Sequence, residues 1–292
     1  MPLPSLSANR SASTGSYSAL RWRLTKSVAA LFLLLGLYAC STPDAAPPYT
    51  PPAQRGAPLS LQAWPHNHYL ALAWHDVEDD NPDQTFVSVS TTHLQQQFAW
   101  LRENHYQPVS VDQILTAAQG GPALPPRAVL LSFDDGYRSF YDRVYPLLRA
   151  YNWPAVLAPV GTWIDTPAGG TVDFGGLPVA RERFLTWAHV TEMSRSGLVE
   201  IAAHTDNLHY GILANPQGNR QPAAAARRYD RDTGRYETDT HYRQRIQDDV
   251  QAISRKIKAA TGKAPRVWVW PYGTTSGLAA QVIREQGGPG NR

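Results

Sequence analysis

At 292 residues, with 42% hydrophobic and 10% aromatic side chains, the chain can bury one large core or two small ones, which excludes a disordered polypeptide. The formal charge of +3 invites a nucleic-acid reading, but Arg10, Arg21, Arg23 and Lys26 all precede residue 40, where no acid stands. Without that segment the 27 basic residues fall to 23 against 24 acidic ones, so polyanion binding is excluded as a main function and no nucleic-acid partner is expected.

The first element is a leader. Arg21, Arg23 and Lys26 precede "VAALFLLLGLYA", Val28 to Ala39, a run too short to span a bilayer comfortably as a mature helix, so residues 1–39 read as a secretory signal peptide. The run ends "LYAC", and Cys40 is the one cysteine of the chain. This resembles the lipobox of bacterial lipoproteins, which implies lipid attachment at Cys40 and leaves no thiol for a disulfide. The plainer alternative is a soluble secreted protein with a cysteine near the cut. Residues 40–66, containing "STPDAAPPYTPPAQRGAP", are proline-rich without apolar period and read as an extended tether. Ser41, in place of an aspartate, is compatible by analogy with sorting to the periplasmic face of the outer membrane.

From Tyr69 onward apolar stretches alternate with amphipathic ones. "YLALAW" reads as a strand, and a helix follows from Ser90 with Leu94, Phe98 and Leu101 on one face. "QPVSV" is a weak strand, and "VDQILTAAQG" a helix capped by Ser110 and closed by Gly120. "RAVLLSF" is the strongest strand, with the near-continuous apolar character of strands buried on both faces in parallel sheets. "SFYDRVYPLLRAY" is a helix that Pro146 bends or shortens, and "AVLAPV" a fourth strand. A helix from Thr186 to Gly197 leads into "LVEIAA", the fifth strand.

An excursion from Leu208 to Glu237 interrupts this rhythm and is too long and polar for a simple connection. A long helix, residues 239–262, carries Ile246, Val250, Ile253 and Ile257 at helical spacing; "RVWVW" is a sixth strand, and "LAAQVIREQG" a last helix. Six βα units predict an α/β fold, with a parallel sheet wound into a barrel or an open layer over a domain of residues 67–292.

The unusual polar residues collect after strands. "WHDVEDD" follows the first, "DDG" the third, "GTWID" the fourth, "HTDNLH" the fifth and "PYG" the sixth. In a parallel barrel those carboxyl ends open on one face, where such folds assemble sites from several loops. Singly, each fragment has a bland reading: Asp-Asp-Gly as a turn, His204 and His209 as surface residues, "WPYG" as a turn about a cis or trans proline, His75 as a rim histidine. Their common placement argues against all four bland readings holding together.

As chemistry, the set explains why Asp134 and Asp135 stand side by side. A divalent cation held by one carboxylate and two imidazoles offsets their repulsion and leaves positions for water and a substrate oxygen. Neighbouring strand residues point oppositely, so both aspartates serve one site only if the strand ends between them, and Gly136 permits that turn.

"SFDDG", "HTDNLH" and "WPYG" resemble motifs of the NodB-type polysaccharide deacetylases, carbohydrate esterase family four. "HDVEDD", "HYGI" and "VWPYG" resemble more specifically the branch acting on poly-β-1,6-N-acetylglucosamine during biofilm exopolysaccharide export, from about Tyr69 to Gln286. The resemblance implies Asp134 as general base, with Asp135, His204 and His209 as ligands of one divalent metal ion: zinc, cobalt, nickel or iron(II). It implies His75 as the acid, with Asp76 orienting it, and a substrate groove lined by Trp163, Trp270, Pro271 and Tyr272, the Tyr272 N–H helping to hold the oxyanion. The implied reaction is hydrolysis of N-acetyl groups on the polymer; the implied partners are that polymer, the membrane through lipidated Cys40, and the export machinery.

Members of the branch carry a second, glycoside-hydrolase-like domain. This chain ends before one could start, after six strands and on "GGPGNR", so the fold expected is an incomplete or distorted (β/α) barrel, truncated at the C-terminus. Two other readings stand beside it: a glycosidase pairing Asp134 with Glu78, Asp79 or Asp80, and a lipid-anchored glycan-binding protein using Trp163, Trp270 and Tyr272 as platforms.

Overall fold

The computed structural model describes residues 64–79 and 82–286; the signal peptide, Cys40, the tether up to residue 63, Asp80 and the final "GGPGNR" lie outside the described residues. The first strand, β1 (Tyr69–Trp74), leads to α1 (Thr91–Glu103). Ser90 caps α1 by accepting the His93 N–H at 3.1 Å, and Leu94, Phe98 and Leu101, one helical face, are the residues it buries. β2 shrinks to Gln107–Pro108, with the Val109 N–H still donating to Val129 O at 2.9 Å before Ser110 turns to the next helix. Ser110 and Gln113 form a reciprocal capping box at the start of α2 (Val111–Ala118).

β3 (Ala128–Asp135) is buried on both faces, as its composition predicts. Pro146 shapes the helix that follows. Having no N–H, it cannot donate to a preceding carbonyl, and the chain responds with a π-helical segment, Phe140–Val144, in which the Tyr145 N–H reaches back to Phe140 O. Regular α3 (Tyr145–Tyr151) then carries the proline in its first turn, where no donor is needed.

After β4 (Ala155–Pro159) comes a short α4 (Gly161–Asp165), then an antiparallel hairpin of β5 (Thr171–Phe174) and β6 (Leu177–Ala180) that the sequence reading did not contain. α5 (Trp187–Arg195), capped by Thr186, precedes β7 (Val199–Ile201). The excursion resolves into two small hairpins, β8 (Gly211–Leu213) with β9 (Arg220–Pro222) and β10 (Tyr229–Asp230) with β11 (Arg235–Tyr236). The long α6 (Asp239–Thr261) buries Ile246, Val250, Ile253 and Ile257, and α7 (Gly277–Glu285) packs beside it.

The main sheet is parallel, in the order β1-β3-β4-β7, with β2 beside the lower end of β3 on the side that β4 occupies higher up. The predicted sixth strand is reduced to a bridge between Ala203 and Trp268, held by Ala203 N–H to Val267 O and Val269 N–H to Ala203 O. The next rung would need Thr205, but its carbonyl accepts the Gly161 N–H at 3.0 Å on the β4 side and Val269 O faces His204 Nδ1; residue 271, a proline, has no N–H to continue the ladder. Among the described residues the sheet does not close: β1 pairs only with β3 and leaves Tyr69 and Leu70 exposed. The main core lies between β3 and β4 and the helices α1, α3, α5 and α6, around Phe98, Leu131, Phe133, Leu148, Leu157, Val190 and Ile253.

This arrangement predicts unequal costs for two similar truncations. Leu157→Ala, fully buried in β4, should lower stability by about 2–5 kcal/mol. Leu70→Ala, 45% exposed on the β1 edge, should change it by about 0.5 kcal/mol or less. Urea denaturation midpoints at constant slope measure both.

Candidate metal centre and active site

Asp134 and Asp135 close β3, and the backbone turns sharply between them and the helix beyond. Asp135 (φ +69°) and Gly136 (φ +86°) are both left-handed, which ends the strand alternation and lets two consecutive carboxylates address one site. Glycine is required at 136 for conformation and for space, since a Cβ there would lie 2.9 Å from Pro159 Cβ.

His204 stands just beyond β7, and His209 follows across a tight turn. Their Nε2 atoms lie 3.3 and 3.2 Å from Asp135 Oδ1, and all three side chains are buried. His204 Nδ1 lies 2.8 Å from Val269 O, the carbonyl acceptor that holds the proton on Nδ1 and turns the Nε2 lone pair toward Asp135. Asp135 Oδ1 is fully buried and lacks any hydrogen bond of good geometry, despite two imidazole nitrogens at contact distance.

Donor atoms that close, aimed past one another, fit a shared cation. Ligands about 2.1 Å from a metal stand roughly 3.0–3.4 Å apart around tetrahedral or octahedral centres. The donor set of one carboxylate and two imidazoles suits zinc and similar divalent ions. Burial opposes the charge on Asp135, but the two imidazoles hold its carboxyl far below the usual range. Burial likewise opposes charge on His204, yet Asp135 and then Asp134 draw its pKa upward. The pocket thus favours positive charge at the point where the three donors meet.

Asp134 has a different environment. Burial pushes its pKa up and adjacent Asp135 adds to that, while His204 and His75 pull it back; its Oδ1 accepts the Ser132 hydroxyl at 3.1 Å. Of the two neighbouring carboxylates, one is held ionised and the other is left able to take a proton. The parallel register pairs Trp74 with Phe133, so the next rung sets His75 beside Asp134. His75 Nδ1 is buried without a partner.

Asp76 corrects an expectation, because it does not orient His75. Its Oδ1 accepts Ser139 Oγ at 2.6 Å and its own neighbour's Val77 N–H at 2.9 Å, and its Oδ2 accepts Ser88 Oγ at 3.1 Å and Arg183 at 2.7 Å. Consecutive residues of extended chain face opposite ways, so Asp76 turns from His75 into this network. Glu78 pairs with the same Arg183 at 3.0 Å, and Asp79 with Arg143 at 3.1 Å, which engages in ion pairs the two candidate second acids of the glycosidase reading that are described, Asp80 lying outside the described residues.

The aromatic residues divide. Trp163 is buried, its ring edge-on to His209 at 4.9 Å and packed on Phe174 and Phe184, so it supports a candidate ligand, which corrects the expectation of a groove-lining platform. Tyr272 is 52% exposed, left-handed at φ +57°, with its ring 4.5 Å from that of His209. Pro271 is buried, and half-buried Trp270 packs on Trp268 and the α6–α7 cluster. Phe174, on the hairpin absent from the sequence reading, adds a further wall 5.9 Å from His209.

Arg183 and Asp249 were also missed. Arg183 carried no signal, whereas Asp249 had one: it falls inside the apolar stripe of Ile246, Val250 and Ile253 and is buried there.

A family model described as polysaccharide deacetylase matches residues 121–289. The poly-beta-1,6-N-acetyl-D-glucosamine N-deacetylase of Escherichia coli K12 is 51% identical over 239 residues, which are 82% of this chain and 36% of that protein. The chain therefore spans about a third of that relative's length. The enzyme of the same name from Staphylococcus aureus MSSA476 is 28% identical over 247 residues, 80% of this chain and 74% of that one. Among solved structures, a de-N-acetylase from Aggregatibacter actinomycetemcomitans superposes with TM-score 0.71 at 43% identity, covering 77% of this chain and 88% of that one. The BpsB deacetylase domain from Bordetella bronchiseptica gives 0.67 at 44%, covering 75% and 85%.

Metal titration of the chelator-treated chain tests the assignment of ligands. The wild type should bind about one divalent ion, Asp135→Ala and His209→Ala should lose at least about tenfold in affinity, and Asp134→Asn should retain it. Loss of metal from Asp134→Asn alone would exchange the roles of the two aspartates.

Proposed function

Because this chain belongs to the polysaccharide deacetylase family, we propose that it removes N-acetyl groups from poly-β-1,6-N-acetyl-D-glucosamine by metal-dependent hydrolysis. The observation that carries this reading is the meeting of Asp135, His204 and His209 around one point with an uncommitted Asp134 beside them. The activity for which the relatives from Escherichia coli and Staphylococcus aureus are named supports the choice of polymer.

Asp135, His204 and His209 would hold the cation, which when bound supplies Lewis-acid activation of water and of the acetamide carbonyl. Asp134 takes the proton of the attacking water. Its Oδ1 is occupied by Ser132, so Oδ2 is the receiving atom. His75, on the neighbouring rung, returns a proton to the amide nitrogen as the C–N bond breaks. Acetate leaves, and the sugar keeps a free amine.

The backbone N–H of Tyr272 is assigned to the developing oxyanion, and the exposed Tyr272 ring to the face of a sugar. Trp270, packed on Trp268 and the α6–α7 cluster, and buried Pro271 anchor the chain that leads into that tyrosine. A neutral polymer asks for aromatic surface and not for charge, which suits the rings of Tyr272 and Phe174 around His209.

We place the protein at the periplasmic face of the outer membrane, anchored by lipid on Cys40 and working with the export machinery of the exopolysaccharide. The apolar run before Cys40 and the proline-rich stretch after it support this placement.

Acetate release from the polymer should disappear with EDTA and return on adding zinc, cobalt, nickel or iron(II). Asp134→Asn and His75→Ala should each lower the rate by about 10²–10⁴-fold with metal content unchanged. Activity that survives chelation, or normal turnover in Asp134→Asn, would reject the assignment. In cells, Cys40→Ala should abolish incorporation of labelled fatty acid and move the protein to the soluble periplasmic fraction; unchanged labelling would refute the anchor.

A further inference from the structure

Thr205, Asp206, Asn207 and Leu208 separate the two histidines. A turn of this length has many backbone paths, and a pair of metal ligands needs one of them. The hydrogen-bond donors of the segment converge on a single acceptor. Through Oδ2, Asp249 of α6 accepts the Thr205 hydroxyl at 2.7 Å and the Asp206 N–H at 3.0 Å. Through Oδ1 it accepts the Asn207 N–H at 2.7 Å. The Thr205 oxygen in turn accepts the Leu208 N–H at 2.8 Å. Every residue of the turn is thereby tied, directly or through one hydroxyl, to one buried carboxylate.

The same face of α6 holds the turn from the side. Ile253, one helical turn beyond Asp249, packs near Gly161, and a Cβ on Gly161 would collide with Asp206 Oδ1. Lys256, a further turn on, binds that Asp206 oxygen at 2.5 Å and Asp165 Oδ2 at 2.6 Å. α4, the turn and α6 are thus locked together at the level of the histidines.

We propose that Asp249 is a positioning residue for the metal centre: by fixing the turn of residues 205–208 it sets the spacing of His204 and His209, and so the affinity for the cation. This rests on the metal-site reading of Asp135, His204 and His209. The chemistry is selective for a carboxylate. All three partners of Asp249 are donors, and an asparagine would set its own NH₂ against one of them. A tether that only stabilised the fold would lower the melting temperature of the metal-free chain when removed and leave the affinity of the folded protein unchanged.

The test uses the metal-free full chain, titrated with Co²⁺ by calorimetry and by visible absorption, with melting curves of the metal-free forms in parallel. At a temperature where each variant is folded by circular dichroism, Asp249→Asn should bind Co²⁺ about 10–100-fold more weakly, with an altered d–d spectrum. Thr205→Val, which removes the hydroxyl link and keeps the shape, should also bind more weakly. Wild-type affinity in folded Asp249→Asn overturns the proposal. Should that variant fail to fold, Thr205→Val decides, and wild-type affinity there overturns it equally. A wild-type chain that takes up no Co²⁺ defeats the metal reading and this proposal together, a result distinct from either variant behaving as wild type.

Discussion

The repulsion between two carboxylates at the end of one buried strand governs the rest of this site. Asp134 and Asp135 are adjacent, buried and brought to the same side by a left-handed backbone. Such a pair is costly unless something takes up its charge. The fold answers by separating the two chemically: Asp135 faces two imidazoles and stays ionised, while Asp134 faces a serine hydroxyl and burial raises its pKa. Under the proposed function, Asp135 would be the carboxylate that holds a cation and Asp134 the one free to carry a proton, the two parts that hydrolysis of an unreactive amide requires.

The scaffold serves this division in layers. The parallel order β1-β3-β4-β7 brings four strand ends to one edge, which is why residues as distant as 75, 134 and 204 meet. Outside them stands an aromatic wall of Trp163 and Phe174 against His209, with Phe184 backing Trp163 and Tyr272 on the open side. The wall fixes the ring plane of a histidine whose Nδ1 has no hydrogen-bond partner, a task done at His204 by the Val269 carbonyl. Two histidines with the same assigned role are therefore oriented by different physics, dispersion for one and a hydrogen bond for the other.

Asp76 and Asp249 illustrate how one residue type serves two ends. Both are buried and fully engaged, and neither faces the meeting point of the metal donors. Asp76 joins the end of β1 to Ser139, Ser88 and Arg183, which fixes the backbone that carries His75. Asp249 joins α6 to the turn between the histidines. Each accepts only from donors and so contributes rigidity, but the charges are treated differently: Asp76 has the Arg183 guanidinium beside it, whereas at Asp249 burial pushes the pKa up against the three neutral donors that pull it down.

Much of this was legible in the chain. The caps Ser90, Ser110 and Thr186, the apolar faces of α1 and α6 and the doubly buried β3 are local patterns, set by helical and strand periods that sequence records directly. The clustering of Asp134, Asp135, His204 and His209 was legible for a topological reason, since parallel strands deliver their ends to one face. What sequence did not contain was direction and pairing. The reduction of "RVWVW" to a single bridge, the hairpin of β5 and β6, the turning away of Asp76, the burial of Trp163 and the reach of Asp249 across to residues 205–207 all depend on which surfaces pack together. Those are contacts between segments tens of residues apart, decided by the balance of burial and hydrogen bonding in the folded chain, and no local period encodes them.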